Sequence, residues 1–325
     1  MGSSIGFGGG VLGDGGGSEI VAGRSSLIFL GTGCSATVPN ARCLICATDP
    51  PCPVCTQALS IPPESNPNYR CNTSLLIDYC QDGVHNYIII DVGKTFREQV
   101  LRWFTHHKIP RIDSIILTHE HADAVLGLDD VRVVQHDTNS IPIYCTQFTM
   151  DSVTKRFPYL AKRNLKEGHV FRFTSQLDWK IIDDDIEKPF IASGLKFIPL
   201  PVMHGEDYVC LGFLFGQKTR IAYISDVSRF PYATEYIISK SGAGQLDLLI
   251  LETNSIRKVV TRSTHLSFPE TLETLKRLRP RQALLVGMTH DYDHDRYNKL
   301  LEEWSSREGI SVQLARDGLQ LYADL

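Results

Sequence analysis

The segment Thr118-His119-Glu120-His121-Ala122-Asp123 places three potential metal ligands, two His and one Asp, within five residues. It follows the apolar run 112–117, which predicts a buried strand. Strand ends in α/β folds hold side chains on a rigid edge, so these imidazoles and the carboxylate can converge on one or two cations. A single His or Asp at the start of a helix is an ordinary surface residue, but the whole cluster favours a metal site.

Further potential ligands also stand directly after apolar strands. They are Asp91, His204, Asp226 and His290. One such residue is more often structural, but the repetition implies a shared sheet edge where ligands meet. A divalent cation at that edge lowers the pKa of its water to about 7, so the chemistry predicted is hydrolysis by a metal-bound hydroxide.

The elements that must position these ligands alternate along the chain. Strands are predicted at 27–30, 74–79, 87–91, 112–117, 141–145, 170–173, 179–182, 195–200, 211–215, 221–224, 248–251 and 283–286. Helices are predicted from Phe96 to a stop at Pro110 and at 124–135, 147–157, 231–239, 269–277 and 296–306. Length alone suggests two domains, but no composition break follows residue 26, so we predict one layered α/β domain over 27–325.

Composition narrows the function classes. The 325 residues are 42% hydrophobic, which is enough for a large core, and the net charge of −4 argues against a general polyanion-binding surface. No apolar stretch approaches the roughly 20 residues of a membrane span, and no signal-peptide pattern is present, so we expect a cytoplasmic protein without a membrane partner. Residues 1–26 are dominated by Gly and Ser and predict a flexible tail.

Nine cysteines are present, and four of them fall within thirteen residues: Cys43, Cys46, Cys52 and Cys55. An odd, clustered set fits metal ligation in a reducing compartment better than a disulfide framework. Cys52 and Cys55 form a C-x-x-C knuckle, and Cys43 or Cys46 can add a third thiolate to a tetrahedral zinc. Spacing does not choose between them, and all four thiolates could close the site. Such a zinc would order the insertion at about 40–70 without doing chemistry.

The order of these motifs resembles that of the metallo-β-lactamase superfamily over residues 27–325. Within it, the closer likeness is to the PhnP-like phosphodiesterases. That likeness rests on Gly31-Thr32-Gly33, the Cys-rich insertion before Asn72-Thr73-Ser74, Gly127-Leu128-Asp129-Asp130 and Thr264-His265-Leu266-Ser267. The resemblance implies a four-layered αβ/βα sandwich with metals between its two sheets.

The resemblance also implies roles for individual residues. The first metal is matched by His119, His121 and His204, and the second by Asp123, Asp226 and His290, with Asp226 as the bridge and Asp91 supporting the ligands. The catalytic set is His265, as general acid, together with Asp123. His294, four residues after His290, is assigned to the structural zinc. The family pattern HxHxDH has Ala124 in place of its last His, which weakens the second site.

We therefore expect a metal-dependent hydrolase of small or cyclic phosphodiesters, with one or two catalytic divalent ions, zinc or manganese, and one structural zinc. Nucleic acid is not an expected partner, since no long basic arm is evident, and a homodimer is left open. Two alternatives remain. One is a thioester hydrolase of the glyoxalase II type. The other is a catalytically inactive, zinc-stabilised interaction protein, for which Ala124 is the best support.

Overall fold

A computed structural model describes residues 23–46, 49–135, 140–161, 174–257 and 264–325, which form two packed sheets. In spatial order the first sheet comprises β14 (Gln320–Ala323), β1 (Ser25–Gly31), β2 (Ser74–Gln81), β3 (Val84–Ile90), β4 (Ser114–Ile116), β5 (Ile141–Cys145) and β6 (Leu177–Ile181). The second comprises β13 (Ser311–Leu314), β12 (Gln282–Val286), β11 (Leu248–Glu252), β10 (Ile221–Ile224), β9 (Val209–Phe215), β8 (Leu195–Met203) and β7 (Phe190–Ala192).

The two sheets repeat one pairing plan. In the first, β14, β1, β2 and β3 pair antiparallel, and β3, β4, β5 and β6 pair parallel. In the second, β7 to β10 pair antiparallel and β10 to β13 pair parallel. Parallel strands end at the same edge of a sheet, so the residues that follow β3 and β4 lie together, as do those that follow β10, β11 and β12.

Helices cover the outer faces of both sheets. On the first sheet they are α3 (Phe96–Gln99), a π-helical turn (Val100–Phe104), α4 (Thr105–His107), α5 (Ala122–Val125), a 3-10 helix (Leu128–Val133), α6 (Gln147–Arg156) and α7 (Pro158–Ala161). On the second they are α8 (Tyr232–Ile238), α9 (Phe268–Leu278) and α10 (His294–Glu308). The Cys-rich insertion carries α1 (Ala41–Ile45), α2 (Pro53–Ser60) and a 3-10 turn (Pro63–Ser65). No helix in the described segments is both long and apolar enough to cross a bilayer.

Strands that are buried on both faces hold the layers together. In β1, Leu27 and Phe29 point into the core between the sheets, while Ile28 and Leu30 point to the helices on the outer side. Such two-sided burial produces continuous apolar runs instead of alternation. The predicted four-layered αβ/βα sandwich is confirmed.

The segment after the His-rich loop differs from the prediction. A single helix over 124–135 was expected, but the chain forms α5 and then a separate 3-10 helix. Gly127 lies between them, packed so closely that a Cβ there would be 2.3 Å from the Gly93 carbonyl oxygen. The backbone contact, which periodicity does not reveal, breaks the helix.

Short strands account for most of the remaining differences. Strands β7, β13 and β14 were not predicted, because three or four residues give little periodicity. Strand β1 begins at Ser25, two residues inside the predicted tail. Residues 1–22 of that tail and the predicted strand at 170–173 lie outside the described residues.

Gly93 provides a test of how tightly the fold holds the ligand loop. A Cβ at this position would lie 1.8 Å from the Asp123 carbonyl oxygen, so Gly93→Ala must push the loop away. We expect the free energy of unfolding to fall by about 2 kcal/mol and kcat/KM to fall at least about tenfold through misplacement of the site. Thermal unfolding and steady-state kinetics measure both. Gly83→Asn, at an open hairpin turn with φ +79°, is the control; equal behaviour of the two variants contradicts the prediction.

Candidate metal centre

Three imidazoles meet between the two sheets. His119 and His121 follow β4, and His204 follows β8. One nitrogen from each ring lies within 4.8 Å of the others, and the ring centroids are separated by 4.5, 5.2 and 5.6 Å. These are the three residues that the sequence assigned to a first metal. The structure brings them together from both halves of the chain.

The side chain of His119 is fixed by residues behind it. Asp91 is fully enclosed and accepts hydrogen bonds from the Thr118 amide at 2.9 Å and the Thr118 hydroxyl at 2.9 Å. The hydroxyl has one proton, so when it donates to Asp91 it accepts from His119 Nδ1, 2.8 Å away. The lone pair of His119 is then on Nε2, which is buried and has no hydrogen-bond partner among the described residues. That orphaned atom is what a metal ligand requires.

His204 is oriented in the same way by a backbone group. Its Nδ1 lies 2.7 Å from the Thr264 carbonyl oxygen, which can only accept, so Nδ1 carries the proton. The Nε2 lone pair is therefore available. Burial lowers the pKa of His204, and it lowers the pKa of His119 to about 4. Both rings are thus neutral at pH 7, which is the protonation state that binds a cation.

A second group of donors adjoins the first and shares His204 with it. Its other members are Asp226, which follows β10, and His265, which precedes α9. His265 Nδ1 lies 3.6 Å from Asp226 Oδ1. Asp226 is thus where the sequence placed it, next to the His ligands, but its partner on the second side is His265 and not His290.

Glu252 is a buried member of the site that the sequence interpretation missed. It is the last residue of β11, its side chain is 1% exposed, and its Oε2 accepts a 2.8 Å hydrogen bond from the Val227 amide. Its Oε1 forms a short hydrogen bond with His265 Nδ1. The rule that found Asp226, an acidic residue at the end of an apolar strand, applies equally to Glu252.

Burial and pairing have opposite effects on this His–Glu pair. Burial raises the pKa of Glu252 to about 7. Burial disfavours the cationic form of His265, but the charge and hydrogen bond of Glu252 outweigh it and raise the pKa of His265 to about 9. The pair therefore holds His265 through Nδ1, beside Asp226.

His119 and members of the second donor group line one small cavity, which we call the metal cavity. Its wall includes His119, Asp226 and His265, and also Asp123 and Ala124. Asp123 therefore faces the predicted site, but it is not a member of either close donor group. Ala124 is buried in the outer core of the first sheet, and its carbonyl accepts from the Val92 amide at 2.7 Å.

The cysteine insertion forms a separate donor cluster. Cys43, Cys52, Cys55 and His290 each present one ligand atom, all within 4.8 Å of one another. His290 Nδ1 lies 3.4 Å from Cys43 Sγ and 3.5 Å from Cys52 Sγ. Three thiolates and one imidazole are a donor set that tetrahedral structural zinc sites use. His290, which the sequence assigned to the second catalytic metal, is therefore placed at the cysteine cluster.

Two other residues assigned to the cysteine cluster lie elsewhere. Cys46 is exposed beyond the end of α1 and is not part of the group. His294 is buried at the first turn of α10, where its amide donates to Asn68 Oδ1 at 2.8 Å. Burial lowers the pKa of His294 to about 4, with Arg70 adding to the effect. His290 lies in the loop that begins with a left-handed turn at Gly287, with φ +74°. His294 is already the first residue of α10.

The insertion has little apolar packing of its own. Its buried apolar residues are Val38, Val54 and Ala58. A buried Arg70 connects it to the C-terminal loop through the Tyr292 carbonyl at 2.9 Å. So small a core cannot offset the ordering entropy of this segment, and a bound cation would supply what is missing.

Replacing Cys43 tests this arrangement. We expect Cys43→Ser to release about one metal ion per chain and to lower the free energy of unfolding by about 3 kcal/mol or more, the stabilisation that a ligand gives at about a hundred times its Kd. Elemental analysis and denaturant unfolding measure the two effects. Cys46→Ser is the matched control, because Cys46 is three residues away and outside the cluster. Loss of metal in the control instead would refute the placement of the ligands.

Comparison with known proteins agrees with this geometry. Residues 86–288 match the family model described as the β-lactamase superfamily domain. A crystal structure of a new diphosphatase from the PhnP family is 28% identical, with a TM-score of 0.71, and covers 93% of this chain and 99% of that one. Zinc-bound PqqB from Methylobacterium extorquens, 17% identical with a TM-score of 0.66 over 92% of this chain and all of that one, shares the fold.

One relative is named for a transferase activity and not for hydrolysis. An octanoyltransferase of Porphyromonas gingivalis is 28% identical over 297 residues, which are 90% of this chain but 52% of the relative. The chain thus spans about half the length of that protein. The family match covers more than half of the chain, from within β3 to the second residue after β12, and includes the His-rich segment, His204 and Asp226. The chain belongs to the metallo-β-lactamase superfamily, a family of metal-dependent hydrolases.

Proposed function

We propose that this protein is a metal-dependent phosphodiesterase that hydrolyses small phosphodiesters. The observation that carries the proposal is the convergence of three imidazoles, those of His119, His121 and His204, with a second donor group beside them. That second group shares His204 and adds Asp226 and His265, and His265 is paired with Glu252. This arrangement combines a cation site with a group that can donate a proton, and hydrolysis of a phosphodiester needs both.

The donor set fits a divalent cation. Burial lowers the pKa of His119 and of His204, which favours neutral rings, and the Nε2 of His119 has no other partner among the described residues. Zinc and manganese both suit ligands of this kind. Such a cation would supply hydroxide near neutral pH and positive charge beside the phosphoryl oxygens. A second cation would be held by Asp226 and Asp123, which both line the metal cavity.

The chain's own residues account for the other requirements. Attack of a hydroxide oxygen on phosphorus forms one P–O bond and breaks another, and the departing oxygen needs a proton when it is an alkoxide. We assign this proton to His265, because the hydrogen bond and charge of Glu252 favour its protonated form. Asp91 and the Thr264 carbonyl hold His119 and His204 in fixed orientations, so little reorganisation is needed during the reaction.

The similarity to a PhnP-family diphosphatase supports phosphorus as the reacting centre. A diphosphate diester and a simple phosphodiester both present a tetrahedral phosphorus with one charged oxygen pair and a leaving oxygen, so one site can act on either. The octanoyltransferase name supports carbonyl chemistry only indirectly, because the relative is about twice as long as the matched segment.

The proposal is tested by assaying purified, metal-analysed protein on three substrates in parallel. These are bis(p-nitrophenyl) phosphate, a diphosphate diester and a glutathione thioester. We expect turnover of at least one phosphorus substrate and none of the thioester. Turnover of the thioester alone would support a hydrolase of the glyoxalase II type. Inactivity on all three, with metal retained only at the cysteine cluster, would support an inactive zinc-stabilised protein.

A further inference from the structure

A second, larger cavity of about 430 Å³ lies near the metal cavity; we call it the side pocket. It is built from the end of β6, the first turn of α6 and the start of β9. Tyr208 lines the side pocket and also contacts the three imidazoles of the candidate metal centre. Its ring stacks on that of His121, with centroids 5.1 Å apart and planes inclined by 11°. On the side-pocket side, its ring centroid lies 6.2 Å from that of Phe148. The side pocket is therefore one aromatic ring away from the predicted reaction centre.

Apolar side chains form much of its wall. Phe148, Ile181 and Val209 remain 64%, 48% and 42% exposed, although large apolar side chains usually lie inside a fold. Ile182 and Leu211 are buried and line its inner part. Exposed apolar groups that converge in a concave site beside a reaction centre are typical of a surface that binds a ligand.

The charged residues that line the side pocket have one sign. Its wall includes Asp183, Asp184 and Asp207, and none of its described lining residues is Lys, Arg or His. Asp183 pairs with Lys188 at 3.4 Å, but Asp184 and Asp207 have no cationic partner among the described residues. The first turn of α6 contributes only about half a positive charge. Two carboxylates without a partner outweigh it, so the side pocket favours a cation and repels an anion.

We propose that the side pocket binds one arm of the substrate, an alkyl arm that ends in an ammonium group. This inference rests on the proposed function for the position of the phosphate, which lies at the metal cavity. The alkyl part contacts Phe148, Ile181 and Val209, and the ammonium group lies near Asp184 and Asp207. The aromatic faces of Phe148 and Tyr208 add cation–π attraction. The substrate class is thus a phosphodiester of an amino alcohol, and diesters with an anionic arm are disfavoured.

Binding of the arm can be measured without turnover. Hexyltrimethylammonium, hexanol and hexanoate share one alkyl chain and differ in charge, and the quaternary ammonium cannot ligate a metal. By calorimetric titration of the metal-loaded protein, we expect the ammonium probe to bind at least about tenfold more tightly than hexanoate. Phe148→Ala should weaken the binding of all three probes. The double variant Asp184→Asn/Asp207→Asn should remove the preference for the cation while hexanol binding is retained.

Tyr232→Ala is the matched control for Phe148→Ala, because Tyr232 is an aromatic residue that is 84% exposed on α8, outside the side pocket. It should change none of the three affinities. Equal binding of the ammonium probe and hexanoate to the wild-type protein, or a preference for the cation that survives in the double Asn variant, would overturn the inference.

Kinetics separates this inference from the proposed function. p-Nitrophenyl phosphodiesters whose second arm is methyl or trimethylammoniohexyl should differ in kcat/KM by at least about tenfold in favour of the long arm, mainly through KM. Equal turnover of both diesters removes the side-pocket inference and leaves the phosphodiesterase intact. If neither diester is turned over but the ammonium probe still binds in a manner that depends on Phe148, the phosphodiesterase proposal fails and the side-pocket inference stands.

Discussion

The variant His119→Ala is expected to lower kcat/KM for a phosphodiester by about a thousandfold or more. His119 contributes one of three convergent imidazoles, and its Nε2 has no other partner among the described residues. Loss of this ligand removes the cation or leaves it misplaced. A thousandfold loss corresponds to about 4 kcal/mol of transition-state stabilisation, within the several kcal/mol that a metal ion supplies.

Metal analysis of the same variant identifies the cause. Content should fall by at least one ion per chain, while the ion at the cysteine cluster stays, because Cys43, Cys52, Cys55 and His290 form a separate group. His106→Ala is the control, since His106 is an exposed His at the end of the α3–α4 helical segment, remote from both clusters. Unchanged turnover in His119→Ala, with unchanged metal content, would leave the first site without support.

Several residues that the sequence predicted for the site lie close together in the structure, because strand ends dictate their position. His119 and Asp226 stand immediately after apolar runs in different halves of the chain. Parallel strands end at one edge, so their following residues must converge once two sheets pack face to face. The pairing plan that brings this about, three antiparallel and then three parallel pairings in each sheet, depends on long-range register that a single sequence does not specify.

The same reasoning could not place the donors that lie in loops. His290 and His294 are four residues apart and both follow β12, so spacing alone gives either one to the cysteine cluster. A left-handed Gly287 and the start of α10 at His294 decide the outcome, and both are properties of the folded backbone. Cys43 and Cys46 present the same difficulty, because the end of α1 at Ile45 separates them.

Glu252 lies in the candidate site, although the sequence interpretation did not select it as a site residue. It ends the apolar strand β11 in the same manner as Asp226 follows β10. The strand-end position that identifies Asp91 and Asp226 as candidates is shared by Glu252, which directly follows the predicted strand 248–251. The general rule, that buried acidic residues need a partner, would have paired Glu252 with a cationic group such as His265.

The variant His265→Ala distinguishes a proton donor from a metal ligand. As a proton donor, His265 matters only when the leaving oxygen is a poor leaving group. We expect kcat for an alkyl leaving group to fall by about a hundredfold to ten-thousandfold, because an alkoxide cannot depart unprotonated. With p-nitrophenolate, which departs as a stable anion, the loss should be less than about tenfold. Across a series of substrates, kcat should therefore fall more steeply with the basicity of the leaving group in the variant than in the wild type.

The alternative role for His265 is that of a metal ligand, because it lies beside Asp226 and His204. If His265 instead holds a cation, His265→Ala should lose metal and slow both kinds of substrate to the same extent. Glu252→Gln separates the roles further, because a neutral amide keeps a hydrogen bond to Nδ1 but removes the charge that favours protonated His265. It should reproduce the steep leaving-group dependence with metal content unchanged. A variant that releases metal without altering that dependence would assign His265 to the metal site.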